Sequence, residues 1–320
     1  MRRRIFPALS GLLIAGLCLF LGYVYAIHGL YGLNVLLRRG GSYWIDVDRA
    51  SPRISAAMRL ALADHPPDPE PGSFTWREVA QGFEVAEMPV LGGGQEIDRM
   101  LLARIDPTRY RFVVRNAAAG DRDIDDWMRV LGAAMVINGS YYGLDGTPAT
   151  PFVSEGIRIG PDRYDGRHGV FAASNGTAMI RDLARSDWRE AFKGADNAMV
   201  SYPMLVAPDP EEYPIARSKW LANRSFVGQD ASGKIIVGTT RDAFFSLARL
   251  AAFLRAAPLG LTLALNLDGG PVACQGIDVG GYKRVFRGEW ESQEHLGRIS
   301  LLRWPFGTVA LPIVLAAIPR

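Results

Sequence analysis

The sequence predicts an α+β domain, a mixed β-sheet with few helices, preceded by a single N-terminal transmembrane helix. Three observations point there. Apolar runs of strand length recur along the chain, punctuated by Gly, Pro, Asn and Asp. Helical periodicity is confined to a few segments, which argues against a doubly wound fold. A long stretch without charge opens the chain. Of 320 residues 48% are hydrophobic, ample for a real core, and 35 glycines imply many tight turns. The net charge is only +3, part of it in Arg2, Arg3 and Arg4, so no broad electropositive surface for nucleic acid is expected.

From the N-terminus, Met1-Arg-Arg-Arg is followed by Ile5 to Ile27 without an Asp, Glu, Lys or Arg. About 20 apolar residues cross a bilayer as a helix. Three arginines before the run should hold residues 1–4 in the cytoplasm and send the rest across. A cleaved signal is the rival, but its apolar region should span only about 7–15 residues. Residues 5–28 are therefore read as an uncleaved anchor, with the following domain on the periplasmic or extracellular side. Residues 29–73 read as a juxtamembrane region, with a helix over Ile54–Leu62 and the Pro-rich linker 65-HPPDPEPGS-73. The globular domain is placed at 74–320.

Within it, Met100–Ile105 and Tyr110–Val114 read as strands split by 106-DPTR-109, Ile124–Leu131 as a helix, and Ala133–Ile137 as a buried strand ending at Asn138-Gly139. Short strands follow at Gly169–Ala173 and Ala178–Arg181. Ser225–Gln229 and Lys234–Thr239 form a pair joined by 230-DASG-233. Leu247, Leu250, Ala251 and Leu254 fall at i, i+3, i+4, i+7, an amphipathic helix leading into a strand that ends at Asp268. Val309–Ile318 is too short for a membrane span and reads as a core strand. No fixed-period repeat is visible.

Two cysteines, Cys18 and Cys274, form neither a disulfide framework nor a zinc cluster, and the four histidines show no metal-ligand spacing. No organic cofactor is implied, and a divalent cation stays open.

The chemistry concentrates where buried strands stop at a short polar residue followed by glycine: 136-VINGSYYG-143 and 264-ALNLDGG-270. Each turn alone is an ordinary hairpin signal. Their neighbours suit a sugar site. Tyr141 and Tyr142 offer flat faces with a polar edge. Glu155, in 154-SEG-156, is a second carboxylate, and as a plain turn residue it would face solvent. A glycosidic bond is commonly cleaved between two carboxylates, which nominates Asp268 and Glu155 as the catalytic pair. Arg224, in 223-NRSFVGQD-230, brings a guanidinium geometrically matched to phosphate, although one arginine among many is ordinarily a surface residue.

The segments 136-VINGSYYGLDGTPATPFVSEG-156, 201-SYPMLV-206, 224-RSFVGQDASGKIIV-237 and 264-ALNLDGG-270 together resemble, in order and spacing, the phosphodiester glycosidase family, over roughly residues 75–305. The resemblance implies removal of a sugar from a sugar-1-phosphodiester. It matches Asn138, Glu155, Arg224 and Asp268 to family positions: Arg224 gripping phosphate, Asn138 orienting an oxygen, Asp268 acting at the anomeric carbon or on water. Gly269 and Gly270 join the substrate-binding set with Tyr141. The departure lies in 271-PVACQ-275, where family members usually continue with another glycine and one or two serines. Proline removes an N–H that could bind an anion, and Gln275 is the candidate to compensate. Cys274 reads as a buried structural thiol. The expected activity is hydrolysis of a glycosyl-1-phosphodiester in an envelope or exported polysaccharide. The alternative is a non-catalytic carbohydrate-binding or polysaccharide-assembly protein on the same fold.

Overall fold

The computed structural model describes residues 5–36, 44–166, 168–209, 211, 213–295, 297–303 and 308–320. The chain is mostly β, with five α-helices among the described residues. The few helices match the expectation, but the sheets do not: among the described residues every strand pairing is antiparallel and no sheet is mixed. Strands joined by short turns can only run antiparallel, and the sequence supplies such turns far more often than crossover helices.

The eight-stranded sheet forms the centre. Its path runs Met204–Val206, Leu261–Asn266, Ser225–Asp230, Ile235–Thr240, Gln95–Ile105, Phe83–Gly92 and Glu70–Pro71, with Arg77–Ala80 paired beside Phe83–Gly92. Both faces are buried, and the alternation of side chains assigns each residue to a layer. Phe83, Val85, Leu101, Ala103, Ile105, Val227 and Val237 face a core shared with a five-stranded sheet. That sheet runs Tyr282–Arg287, Cys274–Val279, Met135–Asn138, Ile313–Pro319 and Tyr110–Asn116. The intervening residues Ala86, Met88, Met100, Leu102, Phe226 and Ile236 face the opposite core. That second core is closed by the helices Ala56–Ala61 and Leu247–Ala256 and by a four-stranded sheet, Trp44–Val47, Arg298–Arg303, Trp290–His295 and Trp220–Ala222. A further five-stranded sheet carries Phe152–Ser154, Ile157–Ile159, Gly169–Ser174, Thr177–Asp182 and Asn197–Ser201.

The predicted helix over 124–131 forms as Ile124–Leu131, capped by Asp123 through a reciprocal bond with Asp126 and ended by left-handed Gly132. The turn at 106–109 does not make a hairpin. It carries the chain from the eight-stranded sheet to the five-stranded one, where Tyr110–Asn116 pairs with Ile313–Pro319. That last strand lies centrally, between Tyr110–Asn116 and Met135–Asn138.

The domain begins earlier than residue 74. Trp44–Val47 pairs with Arg298–Arg303. Ile54, Met58 and Leu62 are buried in the core, and within the Pro-rich segment Glu70 and Pro71 pair with Leu91 and Val90. Proline is tolerated there because Glu70–Pro71 is an edge strand.

At the N-terminus a helix runs Ile5–Leu36. Among the described residues no helix is long and apolar enough to cross a membrane; the side chains of this helix are described for residues 11–26, about 24 Å of its length. The arginines at 2–4 lie outside the described residues.

Candidate active site

Asp268 stands two residues beyond the strand Leu261–Asn266, on a loop wedged between three sheets. Its backbone N–H donates to Gly139 O at 3.0 Å, and its own carbonyl accepts from Asn138 Nδ2 at 2.8 Å. Asn138 Oδ1 in turn accepts from Cys274 N at 3.2 Å. Buried Asn138 thus ties the ends of its own strand, the Asp268 loop and the Cys274–Val279 strand together. Both ends of its amide are bonded to backbone, so it positions the loop.

The two glycines admit neighbours. A Cβ on Gly269 would lie 3.0 Å from Arg224 Nη1 and 3.2 Å from Asn223 O. On Gly270, whose φ is +73°, it would lie 2.7 Å from Glu291 Oε2. The glycine pair lets a guanidinium and a second carboxylate close on the loop that bears Asp268. The loop's own N–H groups are spent internally. Gly269 N donates to Asp268 Oδ1 at 2.9 Å and Gly270 N to Asn223 O at 2.9 Å. The backbone N–H groups of 268–270 are thus all bonded within the protein, and the part that Gly269 and Gly270, expected in the substrate-binding set, play in the geometry is to allow close approach.

Pro271 sits in the short 3₁₀ turn Gly270–Val272, at a first-turn position where its missing N–H breaks no bond. The departure from the family pattern is therefore accommodated by the backbone. Gln275 does not compensate for it. Its amide is fully buried, neither polar atom has a hydrogen-bond partner among the described residues, and it pairs across strands with the core residues Ile137 and Phe286. Cys274 is buried against Pro271 O, and burial pushes its thiol up to about 11, so it is a neutral structural group at pH 7.

Arg224 is buried just ahead of Ser225–Asp230. Its Nε donates to Phe245 O at 3.2 Å and one Nη2 hydrogen to Trp220 O at 3.1 Å. Three N–H groups of the fork are left, and among the described residues no carboxylate lies within ion-pair distance of them. Burial lowers its pKa, opposed by the nearby Tyr141, Glu291 and Asp268, and a guanidinium stays charged regardless.

Glu291, on Trp290–His295, was not found from sequence. Its Oε1 accepts from Trp220 Nε1 at 2.6 Å. Asn223 sets its place, with Oδ1 accepting from Glu289 N at 3.0 Å and Trp290 N at 2.9 Å, and Nδ2 donating to Arg241 O at 2.9 Å. Burial first, then the charge of Glu291, pushes the Asp268 carboxyl up to about 7, against the opposing pull of the Gly269 N–H and Arg224. Glu291 is itself raised by burial, against the Trp220 bond and Arg224. Asp268 keeps part of its surface open to solvent. Two carboxylates with raised pKa values therefore share one buried cation.

Beside them Tyr141 stacks on Tyr202 with centroids 4.2 Å apart, and His168 covers the other side of Tyr202 at 5.0 Å. Tyr141 OH donates to Tyr202 O at 2.9 Å and accepts from Asn266 Nδ2 at 2.7 Å. Burial raises both tyrosine hydroxyls, and the charge of Asp268 adds to it. Tyr141 thus lies beside Asp268, with its hydroxyl already bonded.

Glu155 is not. It forms ion pairs with Arg111, at 3.0 Å, and with Arg115. It lines a separate polar pocket with Ser174, Asn175, Asp196 and Arg320. Burial would raise its pKa, but Arg115 and Arg111 outweigh that and hold it below the usual range. The structure joins Asp268 to Glu291 instead. Among the described residues no group of three or more His, Cys, Asp or Glu is placed to hold a metal ion.

Residues 131–273 match the family model for phosphodiester glycosidases. They hold Asn138, Tyr141, Arg224 and Asp268. Comparison with curated proteins found no match. Among solved structures, the catalytic domain of zebrafish N-acetylglucosamine-1-phosphodiester α-N-acetylglucosaminidase, auto-inhibited by its pro-peptide, is similar in fold, with a TM-score of 0.52. The match is 13% identical and covers 88% of this chain and 89% of that one. A hypothetical protein from Synechocystis matches at TM-score 0.47 and 14% identity, over 78% of this chain and 64% of that one. A putative exported protein from Burkholderia pseudomallei K96243 matches at 0.40 and 13%, over 72% and 76%. Glu291 lies outside the matched phosphodiester glycosidase segment, which is one reason that sequence motifs did not reveal it.

Proposed function

We propose that the protein hydrolyses the bond between a sugar C1 and a phosphodiester oxygen, with Asp268 and Glu291 as its carboxylates and Arg224 as its phosphate ligand. One observation carries the reading: a solvent-reachable carboxylate with a pKa near 7 stands beside a second carboxylate and a buried guanidinium with unused donors. Ionised Asp268 takes a proton from water as the water oxygen bonds to C1. The C1–O bond breaks, and its electron pair goes to the phosphate oxygen. The products are a free sugar and a phosphomonoester. Charge grows on the departing phosphate, and Arg224, fixed by two backbone carbonyls, meets it without reorganising. Glu291, oriented by Trp220, stabilises positive charge on the sugar ring, since glycosidic transition states resemble oxocarbenium ions.

The anchor belongs to the same proposal. Leu12, Leu13, Ile14, Leu17 and Leu19 are exposed along the N-terminal helix, as a lipid-facing segment requires. With the arginines ahead of it, this supports a single-pass protein whose domain works outside the cytoplasm on an envelope or exported polysaccharide.

The test is sugar release from a panel of α-glycosyl-1-phosphodiesters by the full chain, by Asp268→Asn and by Arg224→Lys, with and without chelator. Asp268→Asn should lose at least about 10²–10⁴-fold in rate, the usual contribution of a positioned acid–base group. Binding without turnover by the wild type would replace the hydrolase with a carbohydrate-binding protein.

A further inference from the structure

Alongside the site runs a groove of about 630 Å³ lined by Tyr213, Arg217, Ser218, Ser246, Arg249 and Arg255. That volume falls within the roughly 300–1,000 Å³ of pockets that hold sizeable ligands. Three arginines face one acidic lining residue, Asp68. None of the three pairs with a carboxylate among the described residues. Arg249 donates to Ala61 O at 3.2 Å and lies 5.3 Å over the Phe244 ring, and Arg255 donates to Leu205 O at 3.0 Å. Arg249 and Arg255 are each held by one guanidinium-to-backbone bond that leaves most of the fork uncommitted. An arginine fork of this kind is matched to phosphate oxygens.

The groove is joined to the candidate site at two points. Ser246 follows Phe245 and Ser218 precedes Trp220 by two residues, and the carbonyls of Phe245 and Trp220 are the ones that hold Arg224. On the other side the Tyr213 hydroxyl bonds to the Asp182 carboxylate and lies 3.3 Å from His168 O, and the His168 ring lies against Tyr202. Ser246 and Ser218 of the groove wall therefore lie within two positions of the residues whose carbonyls hold the guanidinium assigned to the scissile phosphate.

We propose that this groove binds further phosphates of the same substrate, which is then an anionic polymer of sugar-phosphate repeats and not an isolated diester. The inference rests on the glycosidase reading for its cleavage step, but the binding it asserts can be measured separately. Two probes separate the cases: the methyl diester of N-acetylglucosamine 1-phosphate, and an oligomer of several N-acetylglucosamine 1-phosphate repeats. In the full chain, Arg217→Ser/Arg255→Ser should raise KM for the oligomer about ten-fold and flatten its salt dependence. KM for the methyl diester should stay within about two-fold. Arg217→Lys/Arg255→Lys should retain most of the oligomer preference, which separates lost charge from lost fold. Equal effects on both probes, or none on the oligomer, would overturn the groove assignment while leaving the glycosidase reading intact. If neither probe is cleaved, oligomer binding to the wild type decides alone: binding lost on Arg217→Ser/Arg255→Ser supports the groove, and binding unaffected by it overturns it.

Discussion

At the scale of single residues, the account turns on how burial and charge set two carboxylates apart. Trp220 donates a hydrogen bond to Glu291 and so favours its ionised form, while Asp268 is pushed up to about 7 by burial and by that same charge. If ionised Asp268 is the base, kcat/KM falls as pH drops through about 7. Trp220→Phe removes a bond that favours charged Glu291, raises the Glu291 pKa, and so takes negative charge away from Asp268. The acid limb of the profile should then move to lower pH, which a pH–rate series on both proteins would show. A second buried carboxyl, Asp98, has a structural effect. Its Oδ1 accepts from Arg99 N at 2.6 Å and Asp242 N at 2.8 Å, and Oδ2 has no partner. Burial, and then the charge of Asp242, raises its pKa well above 3.8, so the folded chain keeps a proton that the unfolded chain releases. The unfolded state then binds fewer protons, and this group's contribution to stability falls as pH rises above about 4. Asp98→Asn keeps the oxygen that accepts both bonds and cannot ionise. Its melting temperature relative to wild type should climb between pH 4 and pH 7.

Among the elements, the segments before residue 74 decide whether the domain folds. Ile54, Met58 and Leu62 are buried, and burying each such side chain contributes about 1.5–3 kcal/mol. Three of them sum to several kcal/mol against a typical total stability of about 5–15 kcal/mol. The strand Trp44–Val47 also covers one edge of the sheet that holds Glu291. A chain starting at 74 should therefore be insoluble or lack a cooperative melt, whereas one starting at 44 should melt cooperatively. Circular dichroism on the two would check it.

For the molecule as a whole, the legible parts of the sequence were those with local causes. The helix at 124–131 was read from sequence and formed with the same bounds, and the pair around 230–233 was read from its turn. Asp268 stood out because a buried strand ended beside it, and Arg224 because a guanidinium ahead of a strand is matched to phosphate. Glu291 did not, because its place depends on Asn223, 68 positions away, holding Glu289 and Trp290 by their backbone. Glu155 misled for the converse reason: its glycine turn resembles that of Asp268, but its carboxylate is neutralised by Arg111 and Arg115 from a strand in another sheet. The Pro-rich residues 65–73 were read as a linker because edge-strand pairing leaves no periodic mark in so short a segment. The most direct test of the central claim compares Glu291→Gln with Glu155→Gln in sugar release from a glycosyl-1-phosphodiester. The account predicts a loss of about 10²-fold or more for Glu291→Gln and a change within a few-fold for Glu155→Gln. The reverse order would contradict the Asp268–Glu291 pair as the seat of the chemistry.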